Sequence, residues 1–408
     1  MLLFSAMDPL YKLALSAHAS SFESDGQVQA SSDGQCGYTP AQIRQRYGSG
    51  SSNLKVEADG HKIPIHLAAV PGGRRFPLLK AMLTTACERN CLYCPFRAGR
   101  NYKRVSFQAG ELAHTFHAAH KKGLVDGLFL STGIFAGGTQ TQDRLIETAE
   151  LLRQKLAYRG YLHLKIMPGA EYDQVYRAMQ LADRVSTNLE APNPSRLASL
   201  APQKEFDQEL LQPLKWIEKI RRTEPPHLGW RGRWPSSTTQ FVVGAAGEKD
   251  LELLATVAAL NRDVGIKRAY FEAFNPIPGT PFENYPQEDP TRQHRLYQAS
   301  FLLRDYGYNL EELPFNASGE LPLHKDPKSI LADHLYVESP VEMNNAARDV
   351  LLRIPGIGPR SASAVLHARR KTNLSDIGQL RRLGVLAERA APYITLAGQR
   401  PARQLKLF

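Results

Sequence analysis

The sequence predicts an α/β protein, a partial (βα)6 barrel of the TIM type followed by a small all-α domain. Six short apolar, β-branched runs alternate with segments of helical period between residues 76 and 310, which is the pattern of βα units and a parallel sheet. Near the C-terminus two helical patterns flank the turn Pro355-Gly356-Ile357-Gly358-Pro359. The length of 408 residues, with 42% hydrophobic and 22% charged side chains, suits two or three domains with a sizeable core.

Composition narrows the class. No run approaches the roughly 18 apolar residues of a membrane span. Met1-Leu2-Leu3-Phe4 lacks the basic start of a signal peptide, and four cysteines are too few for a secreted disulfide scaffold. A cytoplasmic protein is expected. Lys and Arg number 51 against 40 Asp and Glu, a net charge of +11. Residues 341–408 hold 12 basic and 4 acidic side chains, hence +8, leaving +3 for the other 340. So basic a block points to a polyanion partner, or else to a solvated basic tail.

Taken in order, residues 1–75 form an N-terminal extension. A short helix is expected over 10–17 behind Asp8-Pro9, then a Ser/Gly/Gln-rich stretch to Asn53 that contains Cys36, a bystander thiol rather than a hydrogen donor. The barrel, 76–310, has strands over 78–84, 127–131, 161–167, 184–189, 238–243 and 268–274, with helices such as 144–156, 209–221 and 251–260 between them. Chemistry in barrels sits at the C-terminal ends of the strands. The unusual residues fall there: a cysteine loop after the first, Ser131-Thr132-Gly133 after the second, and Lys165 at the third. Asn188-Leu189-Glu190 ends the fourth, Gly244 to Glu248 follows the fifth, and Pro276-Ile277-Pro278 follows the sixth. Residues 311–339, with several prolines, are expected as a linker, 340–395 as the helical domain and 396–408 as a tail.

Cys87, Cys91 and Cys94 are spaced C-x3-C-x2-C. Chance places three cysteines this way on the order of once in ten thousand such chains. Three thiolates so close suit three irons of a cubane cluster, with the fourth iron open. Structural zinc is the alternative, but zinc sites favour paired C-x2-C groups, and the nearest histidines, His66 and His114, are 21 and 20 residues away.

With Tyr93 before the last cysteine, this segment resembles the signature of radical S-adenosylmethionine (SAM) enzymes. The resemblance implies a 4Fe–4S cluster, SAM chelated at its open iron, and hydrogen abstraction from a substrate after reductive cleavage of SAM by an electron donor. It also implies SAM contacts from Tyr93, from Ser131, Thr132 and Gly133, from Asn188 and Glu190, from Gly244 and Glu248, and from Pro276 and Pro278. Ser131-Thr132-Gly133 departs from the superfamily's commoner Gly-Gly-Glu-Pro. A glycine turn is by itself only a turn, and an acidic first turn already explains Glu248. Glu190 is harder to dismiss, because a carboxylate ending a buried strand needs a partner. Lys165 points either to the substrate or to solvent; with Glu190 it is the candidate catalytic pair.

Longer strings narrow the likeness. Leu128-Phe129-Leu130-Ser131-Thr132-Gly133-Ile134, His163-Leu164-Lys165-Ile166-Met167-Pro168-Gly169-Ala170 and Gln240-Phe241-Val242-Val243-Gly244-Ala245-Ala246-Gly247-Glu248 resemble the DNA modification/repair group of radical SAM proteins. That likeness covers about residues 76–395 and implies a uracil-DNA glycosylase-like partner.

Pro355, Gly356, Ile357, Gly358, Pro359, Arg360 and Ser361, between two helical patterns, resemble a helix-hairpin-helix module. Its glycines permit a tight turn that aims backbone N–H groups at a phosphate, with Arg360, Arg369, Arg370 and Lys371 adding charge. Duplex DNA is the expected ligand, RNA the alternative, and a helical hairpin for protein contacts the bland reading. Finally, Gln404-Leu405-Lys406-Leu407-Phe408 resembles the peptide by which bacterial repair proteins dock on the sliding clamp, with Gln404, Leu405, Leu407 and Phe408 as contacts. A non-enzymatic iron–sulfur DNA-binding protein is the rival reading.

Overall fold

The computed structural model describes residues 8–19, 38–47, 53–58, 60–70, 74–266 and 268–401. They fall into two compact units, residues 1–247 with 262–287, and residues 248–261 with 288–408.

The first unit is built on one sheet of eight strands in sequence order. Helix α1 (Pro9–Ala19) and α2 (Pro40–Tyr47) precede an antiparallel hairpin, β1 (Asn53–Ala58) and β2 (His61–Val70), which pairs antiparallel with β3 (Arg74–Met82). From β3 onwards the sheet is parallel, through β4 (Gly127–Ser131), β5 (Tyr161–Lys165), β6 (Arg184–Ser186), β7 (Ser236–Val243) and β8 (Arg268–Ala273). Helices α3 (Ala109–Lys121), α4 (Gly138–Glu150), α5 (Tyr172–Leu181), α6 (Pro194–Leu200) and α7 (Gln212–Thr223) connect them in turn. A strand order that never reverses puts right-handed crossovers on one face, so the other face covers itself by curling. Both faces are accordingly buried: Leu78, Leu79, Leu128, Leu130, Leu162, Leu164, Phe241 and Phe271 are all inside. Among the described residues β1 and β8 are the two edges, so the barrel is partial.

Differences from the sequence expectation have local causes. β3 starts at Arg74 rather than 78, because Arg74 to Leu78 pair with β2, a partner in the extension expected to be partly loop. The fourth barrel strand stops at Ser186, and Glu190 rejoins the sheet only as an isolated bridge to Phe241. Helix α4 begins at Gly138, before its apolar stripe; a Cβ there would lie 2.2 Å from the Pro168 carbonyl oxygen. It continues as a π-turn over Leu151–Lys155, and another, Phe206–Leu211, precedes α7.

The second unit contains α8 (Asp250–Asp263) through residue 261, then α9 (Pro290–Asp305), α10 (Pro327–Tyr336), α11 (Arg348–Arg353), α12 (Pro359–Ala368), α13 (Ile377–Arg382) and α14 (Ala387–Ala390). Its core includes Ala332, Met343, Leu351, Ile354, Ile357, Val365, Leu380 and Ile394. A two-residue parallel pair, β9 (Val341–Glu342) with β10 (Ile394–Thr395), makes it not purely helical. Residues 311–339, expected as a linker, are packed. Ala332 of α10 is in the core, the Leu251 amide donates to the Gly319 carbonyl at 3.0 Å, and the Leu321 amide donates to Asp250 at 2.8 Å. No helix among the described residues is long and apolar enough to cross a membrane.

Candidate active site

A cavity of about 190 Å³ opens at the C-terminal ends of the parallel strands. Cys87, Cys91 and Cys94 line it on one side; Lys165, Glu190 and Gln240 stand on the others. The cysteine loop follows β3 and is laced to its neighbours by backbone hydrogen bonds. Thr85 N–H donates to Val105 at 2.8 Å, Glu88 N–H to Ile134 at 2.8 Å and Leu92 N–H to Leu200 at 2.9 Å. Gly133 is what lets the β4 loop lie against it. A Cβ at that position would sit 2.2 Å from the Ala86 oxygen and 3.1 Å from the Cys87 Cβ.

Arg104 fastens the far side of the loop. One terminal nitrogen donates to the carbonyls of Thr85 at 2.9 Å and Phe96 at 2.7 Å; the other donates to Arg97 at 2.9 Å and Arg100 at 3.2 Å. Its guanidinium also lies 4.0 Å from the centre of the Tyr102 ring. Arg100 in turn donates to the Pro278 carbonyl at 3.0 Å, joining the cysteine loop to the turn after β8.

Glu190 has a left-handed backbone, φ +65°, held by two hydrogen bonds: its N–H donates to Gln240 at 2.9 Å, and its carbonyl accepts from Val242 at 2.8 Å. Its carboxylate accepts from the Lys204 ammonium at 2.9 Å. Burial pushes the Glu190 carboxyl up, but Lys204 and Lys165 outweigh it and, with the Tyr93 hydroxyl, hold it below the usual carboxylate range. Burial also disfavours the Lys204 ammonium, yet Cys91, once ionised, and the Glu190 carboxylate leave its affinity for a proton raised.

Burial pushes the Cys91 and Cys94 thiols up, so in this pocket they stay protonated unless a cation compensates them. Among the described residues no set of three His, Cys, Asp or Glu converges as ligands of a single metal ion. Three thiols on one loop beside a cavity fit a multi-iron cluster.

The second unit presents a separate candidate, the turn between α11 and α12. Gly356 has φ +85°, and a Cβ there would lie 2.4 Å from the Leu386 oxygen. Ser361 Oγ accepts from the Gly358 N–H at 2.8 Å, closing the start of α12. Pro355 and Ile357 are buried, so they brace the turn, while Arg360 is exposed. Arg369, expected to add free charge, donates to the carbonyls of Met343 at 3.0 Å and Ala346 at 2.6 Å.

No family model matches the sequence. The chain is similar to a tRNA-2-methylthio-N(6)-dimethylallyladenosine synthase of Photobacterium profundum, 23% identical over 224 residues, 52% of this chain and 44% of that protein. The match thus spans less than half of that protein's length. Among solved structures, it is similar to the FeFe-hydrogenase maturase HydG of Carboxydothermus hydrogenoformans, with a TM-score of 0.44 and 16% identity over 55% of this chain and 51% of that one. Methylornithine synthase (PylB) is similar at a TM-score of 0.44 and 13% identity, covering 55% of this chain and 61% of that one. At these levels the likenesses say nothing of activity.

Of the residues singled out in the sequence, Cys87, Cys91, Cys94, Tyr93, Thr132 and Gly133 come together around the cavity with Lys165, Asn188 and Glu190. Ser131 is buried with its hydroxyl unpartnered, and Gly244, Pro276 and Pro278 are not in the cavity wall. Glu248 belongs to the other unit, where its buried carboxylate is 3.9 Å from Arg292. Cys36, Gln404, Leu405, Leu407 and Phe408 lie outside the described residues. Lys204 and Arg104 were not anticipated, since neither belongs to a motif. Lys204 reaches Glu190 because α6, capped by Asn193 accepting from the Arg196 N–H at 3.0 Å, turns the chain back.

Proposed function

We infer that this chain is a radical SAM enzyme acting on nucleic acid, with a 4Fe–4S cluster on Cys87, Cys91 and Cys94 and SAM in the adjoining cavity. The observation that carries the reading is a three-cysteine loop opening on a strand-end cavity whose walls also hold Glu190, Lys204 and Lys165. When bound, such a cluster supplies the electron that cleaves SAM and starts hydrogen abstraction.

The chain's own residues bind and orient. Lys204 is the cation available to the SAM carboxylate, and the Glu190 carboxylate is the acceptor available to the SAM amino group or ribose; they neutralise each other until then. Met82, Ile134 and Phe274 give the cavity apolar walls that exclude water. Lys165 adds a positive charge at the end of β5, facing Glu190.

Duplex DNA is the substrate we favour. The hairpin of the second unit has its glycine turn and an exposed Arg360, and residues 341–408 carry +8. The sequence strings that resemble the DNA modification/repair group support the same choice and make a glycosylase-like protein, the sliding clamp and an electron donor the partners to test. A target base inside a duplex has to be flipped out to enter such a cavity. RNA is the second reading, favoured by the similarity to a tRNA-modifying enzyme.

Anaerobic reconstitution of the full chain should give the absorption and EPR signals of a 4Fe–4S cluster, and the reduced protein should convert SAM into 5′-deoxyadenosine. C87A, C91A and C94A should each lose both. A variant lacking all three cysteines that still cleaves SAM would overturn the mechanism. Mass spectrometry of nucleosides after incubation with DNA or tRNA separates the two substrate readings.

A further inference from the structure

We propose that Lys328, outside the hairpin, is a phosphate-neutralising residue that meets a backbone phosphate of duplex DNA at the groove beside it, through an ammonium tied to the hairpin's own carbonyl. The inference rests on the nucleic-acid reading above.

The groove, about 600 Å³, lies wholly within the second unit. Its walls are the hairpin and the start of α12, the end of α9 with Tyr306, the start of α10 and Arg389 of α14. Lys328 sits in the first turn of α10, whose N-cap Asp326 accepts from the Ser329 N–H at 3.0 Å. The Lys328 ammonium donates to the Ile357 carbonyl at 2.6 Å and lies 4.5 Å from the centre of the Tyr306 ring.

Three features make that position a poor one for a cation with no anion beside it. The side chain is half-buried, with its ammonium on a neutral carbonyl and beside an aromatic ring. It stands in the first turn of a helix, where the macrodipole favours negative charge. The nearest carboxylate, Asp326, is already engaged by Arg389 at 2.8 Å. Burial first, and then Arg389, pull the Lys328 ammonium down to about 7, with Asp326 opposing. The charged and titratable groups facing it are Asp326 on its own helix, Arg389 on α14, Arg360 on α12 and Tyr306 after α9; among the described residues no histidine lines the groove.

A phosphodiester arriving at the hairpin reverses this balance. It supplies the anion that the ammonium lacks, so binding draws a proton onto Lys328, and affinity falls as pH rises. A lysine that only braced the hairpin would show no such linkage.

The test is duplex binding by the full-length protein, followed by fluorescence anisotropy at pH 6 and pH 8 in equal salt. The probe is a labelled DNA duplex about two helical turns long. Wild-type affinity should fall roughly tenfold between the two, the factor by which the ammonium fraction of the free protein falls. Lys328→Arg, charged at both pH values, should bind tightly at both; Lys328→Gln should bind weakly at both. Calorimetry in buffers of different ionisation enthalpy should register proton uptake near pH 7.5 for wild type and none for Lys328→Arg, which decides the matter even where Lys328→Gln folds poorly. Equal affinity and equal pH dependence in wild type and both variants would overturn the assignment. No duplex binding by wild type at either pH would overturn the nucleic-acid reading, and this inference with it.

Discussion

The Lys204 ammonium and the Glu190 carboxylate are 2.9 Å apart, with side chains only 10% and 6% exposed, on segments that share no secondary-structure element. Glu190 accepts this contact from a left-handed backbone that costs a non-glycine residue about 1–3 kcal/mol. Strain and a buried ion pair thus coincide at one position beside the cysteine loop, the combination expected of a site shaped for binding rather than for stability.

Breaking the pair from one side should be expensive. Glu190→Gln leaves Lys204 buried without its counter-ion and should lower stability by about 3–5 kcal/mol in urea unfolding of the cluster-free protein. Glu190→Gln combined with Lys204→Met should cost less than the sum of the two single changes. The Glu190 carboxyl is held below its ordinary value, so its contribution is present above the unfolded-state value and is lost as pH falls through the folded one. The acid limb of the stability profile should be shallower in Glu190→Gln.

Arg104 offers a test independent of any loaded cofactor. Its guanidinium serves four carbonyls of residues 85–100, which a lysine ammonium at the same position is unable to reach together. Arg104→Lys and Arg104→Gln should both speed hydrogen exchange across 85–104 and lower iron incorporation. A loss of about 1–3 kcal/mol is expected from carbonyls left without a donor. Unchanged exchange in both variants would show that the loop holds itself.

Gly133→Ala should be far more damaging than its size suggests. The added methyl meets the Ala86 backbone at 2.2 Å and the Cys87 Cβ at 3.1 Å, so the cysteine loop has to move. Thermal melting should show a folded protein, destabilised by about 1–3 kcal/mol, and reconstitution should yield a cluster in reduced amount.

Gly356→Ala tests the hairpin in the same way. The new Cβ would lie 2.4 Å from the Leu386 oxygen at a φ of +85°. Duplex affinity measured by anisotropy should drop at least tenfold, while SAM cleavage is retained; unchanged affinity would move the nucleic-acid surface elsewhere.

Much of the first unit could be read from the order of its residues. The strand of residues 127–131 was legible to the residue, because a parallel strand buried on both faces is a continuous apolar run with turns at each end. The cysteine spacing needed no tertiary information, since the three thiols share one loop. A turn at Gly356 was legible too, because glycine there answers a local backbone demand, φ +85°.

The rest followed from contacts between distant segments. Whether 74–77 belong to a strand depended on β2, and whether 311–339 are a linker depended on Asp250 and the core around Ala332. Lys204 became the partner of Glu190, Arg104 the clasp of the cysteine loop, and Lys328 the cation under the hairpin through contacts between elements separate in the chain. A charged side chain in a sequence carries no mark of its eventual partner. Its role is set by burial and by which opposite charge or carbonyl the fold brings within about 3 Å, a property of packing and not of local propensity.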